Sequence, residues 1–189
     1  MTTKIELLQI LSEKVSKCTK CPELVANRTQ TVFHSGNPSK LLFLGESPGE
    51  DEDEQGQVFV GKAGQLLTNI LKACGIDRED VYCCNICKCR PPNNRTPTAI
   101  EAKNCEPYLK LQLQIMNPKY IVCLGATASR YLLNLNYPMG YLRGKWFKYE
   151  NAHVNADVLV TYHPSYALRT GDTGKQAIWD DLQSLMEKL

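Results

Sequence analysis

The chain has 189 residues, of which 43% are hydrophobic and 22% charged, a composition typical of a globular protein with one buried core. No apolar run approaches the roughly 18 residues of a membrane-spanning helix, and the start of the chain lacks the apolar core of a signal peptide. We therefore expect a cytoplasmic protein with one domain over residues 1–189. A separate expectation is that it is a monomer. The net charge of +2 is weakly basic, so a nucleic-acid partner has to be inferred from local features.

Helical and strand patterns alternate along the chain. Strands are predicted at 40–45, 81–87, 120–125 and 158–162, each a short apolar run. Helices are predicted at 5–15, 63–74, 98–116, from 126, and 176–189, and the acidic stretch 50–54 is expected to be a loop. Thr98 and Glu101 have capping-box spacing at the start of one helix. The alternation predicts an α/β domain of three layers, α/β/α, around a central, mostly parallel four-stranded sheet.

Polar and glycine-rich motifs follow the predicted strands. Gly45-Glu-Ser-Pro-Gly49, Asn85, Gly125 and His163-Pro-Ser165 all lie at or just after a strand end. In open α/β sheets, ligands bind outside the carboxyl ends of the strands. We therefore expect residues that are distant in sequence to converge on one crevice at this edge.

Nine cysteines is a high number for an intracellular chain of this length. Under reducing conditions such thiols bind metals or lie buried more often than they form disulfides, and an odd number argues against a simple disulfide framework. Cys18-x-x-Cys21 is a compact chelating pair, and Cys89 and Cys105 bracket the start of a predicted helix. Four thiolates suit either zinc or a 4Fe–4S cluster, and the cysteines alone leave both open. The others lie in apolar strands or at a helix end and are interpreted as small hydrophobic residues: Cys74, Cys83, Cys84, Cys87 and Cys123.

Several motifs occur together in one order along the chain. They are Cys18-x-x-Cys21, Gly45-Glu-Ser-Pro-Gly49, Phe59-Val-Gly-Lys-Ala-Gly64, Asn85-Ile-Cys-Lys-Cys-Arg-Pro-Pro92, Asn94-Arg95, Cys105 and His163-Pro-Ser-Tyr-Ala-Leu-Arg169. In order and spacing they resemble the family 4 uracil-DNA glycosylases, which remove uracil from DNA, over nearly the whole chain. The resemblance implies a structural 4Fe–4S cluster held by Cys18, Cys21, Cys89 and Cys105.

One position departs from the family pattern. Ser47 stands where family members usually carry alanine or glycine, which leaves open a broader specificity for deaminated bases. A related branch that traps DNA covalently carries a histidine-containing insertion. No such insertion follows Gly64 or Asn85, so turnover is expected.

The resemblance also implies roles in the uracil site. An extruded base would stack on Phe59. The Asn85 amide offers a donor and an acceptor that match O4 and N3–H of uracil and mismatch cytosine. His163 would donate to the developing uracil oxyanion as a neutral imidazole, helped by backbone amides of residues 46–49. Glu46 would orient the reacting centre or its water, and Glu52 would lie near the uracil C5 edge and exclude the thymine methyl group. Ser47, Pro48 and Gly49 complete the expected site.

DNA contacts are expected from basic residues in the loops beside the crevice. These contacts would be salt-sensitive and largely independent of sequence. Leu168 is expected to wedge into the stack that the flipped base leaves. The basic residues are Lys62, Lys88, Arg90, Arg95, Arg143, Lys145 and Arg169. An alternative is a cluster- or zinc-stabilised module that binds uracil or damaged DNA without catalysis.

Overall fold

A computed structural model describes residues 2–189, so Met1, the first residue of the predicted domain, lies outside the described residues. The strands are β1 Leu41–Gly45, β2 Tyr82–Asn85, β3 Tyr120–Leu124, β4 Trp146–Glu150 and β5 Asn155–Thr161. The helices are α1 Lys4–Ser16, α2 Pro22–Asn27, α3 Glu50–Gln55, α4 Lys62–Ala73, α5 Ala99–Met116, α6 Gly125–Leu133, α7 Met139–Leu142, α8 Pro164–Thr170 and α9 Asp172–Met186. Short 3-10 turns lie at Arg78–Asp80 and Pro92–Asn94.

The strands form one sheet in the order β2-β1-β3-β5-β4. Four strands are parallel, and β4 is antiparallel to β5. The α/β class is confirmed, but the sheet has five strands where the sequence analysis predicted four. The added strand is the half-exposed edge strand β4, whose Trp146, Phe147 and Tyr149 contribute aromatic rings. Strands of this kind alternate between solvent and core, so they lack the continuous apolar run that marks the central strands.

Helices cover both faces of the sheet, which confirms the predicted three layers. On one face, α1, α5 and α6 pack on alternate strand residues such as Leu42, Cys84 and Ile121. On the other face, α4, α8 and α9 pack on the intervening residues, including Phe43 and Val122. Because both faces are covered, β1, β2 and β3 are buried along their whole length.

Local sequence signals place the ends of two helices. The Thr98 hydroxyl accepts a hydrogen bond from Glu101 N at 3.2 Å and the Glu101 carboxylate accepts one from Thr98 N at 2.7 Å, so the predicted capping box of α5 is confirmed. The acidic stretch 50–54, predicted as a loop, is the helix α3. Carboxylates in a first turn interact favourably with the unpaired N–H groups there, and Gly56 ends the helix in a left-handed conformation with φ 74°.

Candidate active site

Phe59, Asn85 and His163 meet at the carboxyl edge of the sheet. The ring centroids of Phe59 and His163 are 5.9 Å apart, with their planes inclined by 37°. Gly45 ends β1 opposite Asn85 in the strand register, and a Cβ atom there would collide with Asn85 Oδ1 and lie 2.8 Å from Phe59 Cζ. The missing side chain of Gly45 therefore lets an aromatic ring and an amide approach the same point, next to an imidazole.

The backbone of Phe59 is held in an unusual conformation. Its φ is 59°, in the left-handed region that bulky residues rarely adopt, and its side chain is buried. Such a conformation costs on the order of 1–3 kcal/mol and persists only where the surroundings enforce it. Gly64 of α4 lies so close that a Cβ atom would collide with the Phe59 carbonyl group. The packing of α4 against the Phe59 backbone therefore depends on this glycine.

Glu52 holds two loops of the site together. One carboxylate oxygen accepts hydrogen bonds from Val60 N at 3.0 Å and Gly61 N at 2.8 Å, and the other accepts one from Gly49 N at 3.1 Å. These bonds join the 45–49 loop to the segment that follows Phe59. Both carboxylate oxygens are thus occupied by backbone amides, and the exclusion of thymine by this side chain stays a prediction.

The Asn85 side chain is available for a ligand. It ends β2, is 3% exposed, and has no hydrogen-bond partner for its amide among residues 2–189. Its backbone carbonyl accepts a hydrogen bond from Lys88 Nζ, which fixes the strand end. An amide without a partner inside the protein can match one donor and one acceptor on a bound ring.

His163 is a neutral imidazole next to Phe59. It is the N-cap of α8, and its Nδ1 accepts a hydrogen bond from Ser165 N at 3.1 Å. The proton of the neutral ring is therefore on Nε2. Burial, followed by the charge of Arg169, lowers the pKa of His163 from 6.5 to about 4, so the ring is uncharged at neutral pH.

The 45–49 loop extends the pairing of β1 and β2 beyond their ends. Ile86 N donates to Gly45 O and Cys87 N donates to Glu46 O, both at 3.0 Å. The side chains of Glu46 and Ser47 are half-buried and make no hydrogen bond within the described part of the chain, and Pro48 is buried. The loop is thus fixed by its backbone, while two of its side chains remain available.

The four predicted cluster ligands line one small pocket between α2, the 87–89 segment and the start of α5. Arg28 donates from Nη1 to Cys89 Sγ at 2.9 Å and from Nη2 to Cys18 O at 2.8 Å. Asn104 Nδ2 lies 3.5 Å from Cys21 Sγ. Between residues 2 and 189 no group of three or more Cys, His, Asp or Glu side chains is arranged to hold one metal ion. Four thiols lining one pocket, two of them with an N–H donor directed at the sulfur, fit an anionic iron–sulfur cluster.

The predicted DNA contact of Lys88 is wrong, because this side chain is only 1% exposed. Its ammonium lies among the cysteine-rich segments and has no carboxylate partner in the described chain. A hydrogen bond from the Cys87 thiol, followed by the charge of Lys88, lowers the pKa of Cys105. Lys88 is therefore a buried positive charge beside the thiols and cannot reach a DNA backbone.

The other cysteines lie largely where the sequence predicts. Cys83, Cys84, Cys87 and Cys123 are buried in the strands or just after them, and Cys74 is half-buried at the end of α4. Cys87 differs from the rest because it also lines the pocket of the predicted cluster ligands.

The remaining predicted DNA contacts fall into two groups. Lys62, Lys145, Leu168 and Arg169 are exposed, which a DNA contact requires. Three arginines form ion pairs within the protein: Arg90 with Glu50 at 3.0 Å, Arg95 with Glu101 at 2.8 Å, and Arg143 with Asp181 at 2.8 Å.

Arg95 is a structural residue in this geometry. Both of its terminal nitrogens donate to the Glu101 carboxylate at 2.8 Å, which ties the 90–98 segment to α5. This bidentate hydrogen bonding lowers the pKa of Glu101 to about 2. The roles of Arg28 and Glu52 were not predicted. The bond from Gly49 N to Glu52 is a local N-cap contact at the start of α3, of the capping-box type that sequence spacing can indicate, whereas the Arg28 bonds and the Val60 and Gly61 bonds to Glu52 join separate segments.

Together these features define an α/β protein in which an aromatic ring, a side-chain amide and an imidazole meet at the carboxyl edge of its sheet. Residues 33–183 match the model of the uracil DNA glycosylase superfamily. The chain is 47% identical over 179 residues to a type-4 uracil-DNA glycosylase of Thermotoga maritima, covering 89% of this chain and 87% of the relative. It is 40% identical over 169 residues to one of Archaeoglobus fulgidus (87% and 84%) and 28% identical over 186 residues to a type-5 enzyme of Pyrobaculum aerophilum (80% and 80%).

The chain therefore belongs to the type-4 uracil-DNA glycosylases of this superfamily, which confirms the resemblance inferred from its motifs. Among the helices of residues 2–189, none has the length and apolar character needed to cross a bilayer.

Proposed function

We propose that the chain hydrolyses the N-glycosidic bond of deoxyuridine in DNA, releasing uracil and leaving an abasic site. The observation that carries this proposal is the meeting of Phe59, Asn85 and His163 at one point of the sheet edge. A stacking ring, an unpaired amide and a neutral donor are the groups that an extruded uracil requires.

Recognition begins with extrusion of the nucleotide, because a base inside a duplex cannot reach the pocket, and extrusion costs a few kcal/mol. The uracil ring stacks on Phe59. The amide of Asn85 donates to O4 and accepts from N3–H, whereas cytosine presents an amino group and a bare nitrogen at these positions. A buried site that leaves such groups unpaired rejects the wrong base strongly.

Bond breaking depends on stabilising the leaving group. The bond between C1′ and N1 breaks with its electron pair passing to uracil, and negative charge develops on O2. Nε2–H of His163 donates to this oxygen, and one such preorganised donor contributes on the order of 10²–10³ in rate. Water adds to C1′ of the sugar and gives its proton to solvent. The half-buried Glu46 carboxylate, which has no ion-pair or hydrogen-bond partner among residues 2–189, would orient that water.

Cys18, Cys21, Cys89 and Cys105 would hold a 4Fe–4S cluster. When bound, the cluster supplies a structural cross-link between four thiolates. Arg28 and Asn104 direct N–H groups at two of the sulfurs. Lys88 contributes a nearby positive charge and its Nζ donates to the backbone of Asn85, so the same residue connects this region to the uracil pocket.

DNA is expected to lie across the exposed carboxyl edge. Lys62, Lys145 and Arg169 would contact phosphates, and the 47% exposed Leu168 would enter the stack. Arg90, Arg95 and Arg143 would have to exchange or share their carboxylate partners to do the same. We also propose that the enzyme acts as a monomer of one domain.

A broader specificity is a second candidate, and Ser47 favours it. Its half-buried hydroxyl makes no hydrogen bond in the described chain, so it is free to donate to or accept from a base other than uracil. A panel of oligonucleotides containing hypoxanthine or other deaminated bases distinguishes the two specificities. Release of hypoxanthine that disappears in Ser47→Ala would support the broader one.

The proposed activity is tested with an oligonucleotide that contains a single uracil. Incubation followed by alkali should cut the strand at that position, and the matched thymine and cytosine strands should stay intact. His163→Ala should lower the single-turnover rate on the order of 10²–10³-fold. The exposed His153, changed to alanine, is the matched control and should leave the rate unchanged. Binding without cleavage at stoichiometric protein would support a non-catalytic module and overturn the proposal.

A further inference from the structure

A group of tyrosines and basic residues lies at the carboxyl edge of the sheet, beside the pocket. Two short segments contribute them, one around α7 and the other at the end of β5 and in α8. We name the group the tyrosine surface. Its members are Tyr137, Tyr141, Arg143, Lys145, Tyr162 and Tyr166.

The inner part of the tyrosine surface adjoins His163. Tyr162 directly precedes that histidine, and its ring stacks on Tyr166 with centroids 4.2 Å apart and planes inclined by 20°. The guanidinium carbon of Arg143 lies 5.5 Å from the centroid of the Tyr162 ring. A stacked aromatic pair with a cation over it therefore begins one residue from the proposed oxyanion donor.

The outer part is more exposed. Tyr137 and Tyr141 are 50% and 55% exposed, with ring centroids 5.1 Å apart. Lys145 Nζ lies 3.1 Å from the centroid of Tyr141 and has no carboxylate partner in residues 2–189. Gly144 N donates to Val160 O at 2.8 Å, which holds this segment against the end of β5. The outer tyrosines are thus fixed on the same edge as the pocket.

Aromatic rings interleaved with cations are the surface that unpaired nucleic acid requires. Cations attract the phosphates, while every base offers a face that can stack on tyrosine, on the order of tenfold in affinity per base. Bases within a duplex are stacked on one another and cannot use such rings. The uracil pocket and the mechanism proposed for it make no use of these four tyrosines.

We infer that the tyrosine surface stacks unpaired bases next to the extruded uracil, so that single-stranded or locally melted DNA is the preferred substrate. This inference rests on the proposed function, since the uracil pocket sets which strand reaches the tyrosines. The duplex would be bound mainly through phosphates, with less contribution from the rings.

Binding and turnover test the inference separately. The first measurement is fluorescence anisotropy with a labelled thymidine oligonucleotide free of uracil, single-stranded and as a duplex, at one salt concentration. The double variant Tyr137→Ala/Tyr141→Ala should bind the single strand about tenfold or more weakly and the duplex within about threefold of the unchanged protein. Tyr137→Phe/Tyr141→Phe should retain the affinity, because the ring and not the hydroxyl stacks. Ile10→Ala, which removes another exposed large side chain on α1, should have no effect.

The second measurement is kcat/KM for uracil release from the two forms of DNA, in which the alanine variant should lose the preference for the single strand. Equal affinity of the alanine variant for the single strand would overturn the inference, and so would an equal loss for single strand and duplex. If the unchanged protein bound single strands through these tyrosines and released no uracil, the proposed function would be wrong. The inference that the tyrosines stack on unpaired bases would still be supported.

Discussion

Glu52→Gln separates two roles for one side chain. The family resemblance places Glu52 at the C5 edge of uracil, whereas the structure engages both of its carboxylate oxygens with the backbone amides of Gly49, Val60 and Gly61. Glutamine keeps one oxygen, which can still accept from the last two amides. Its NH₂ group would face Gly49 N, so that two donors oppose each other.

The expected loss of stability follows from losing the hydrogen bond that Gly49 N donates to Glu52. A hydrogen bond to a charged group contributes about 1.5–3 kcal/mol, and Glu52 is half-buried, so we expect the free energy of unfolding to fall by about 2 kcal/mol. For a chain of this size that corresponds to a Tm lower by about 4–8 °C. Because two of the amides directly follow Phe59, kcat/KM for uracil should also fall, by about tenfold, while discrimination against thymine stays unchanged.

The assays are thermal unfolding and uracil release, each with a matched control. Glu54→Gln makes the same chemical change at an exposed position of α3 and should leave both quantities unaltered. If Glu52→Gln kept its Tm and began to release thymine, the positioning role would be refuted and the C5-edge role supported.

Three further perturbations test other parts of the site. Asn85→Asp should lower kcat/KM for uracil by about 10- to 100-fold, since a carboxylate cannot donate to O4. The variant should also show a weaker preference for uracil over cytosine, and an unchanged preference would contradict the amide matching. The rate of uracil release should show no inflection from His163 near pH 6.5. It should decline only as the pH falls toward the His163 pKa of about 4, because protonation of Nδ1 removes the acceptor for Ser165 N. An inflection near pH 6.5 that His163→Gln abolishes would show that the charged ring is required. Lys88→Met should lose its iron and its visible absorbance faster than the unchanged protein in the presence of a chelator, whereas Lys72→Met, at an exposed position, should not. If Lys88→Met kept its iron as long as the unchanged protein, the buried charge would not stabilise the cluster region.

The local patterns of the chain determine much of the fold and the place of the site. Apolar runs that can only be buried on both faces predict the central parallel strands, and the Thr98–Glu101 pair predicts the start of α5. Parallel strands end at one edge, so motifs that follow them must meet there. For this reason the order of strands and motifs along the chain is sufficient to place Asn85 and His163 at the same edge of the sheet.

Tertiary structure alone decided the features that depend on distance across the fold. Lys88 and Arg95 are indistinguishable from surface cations in the sequence, yet one is buried and the other is bound to Glu101. The contacts of Glu52 with Val60 N and Gly61 N and the left-handed backbone of Phe59 likewise arise from how loops meet, since neither follows from a residue type. The spacing of residues along the chain predicts local hydrogen bonds and which whole segments are buried. The partner of a single charged side chain is set only when the segments pack.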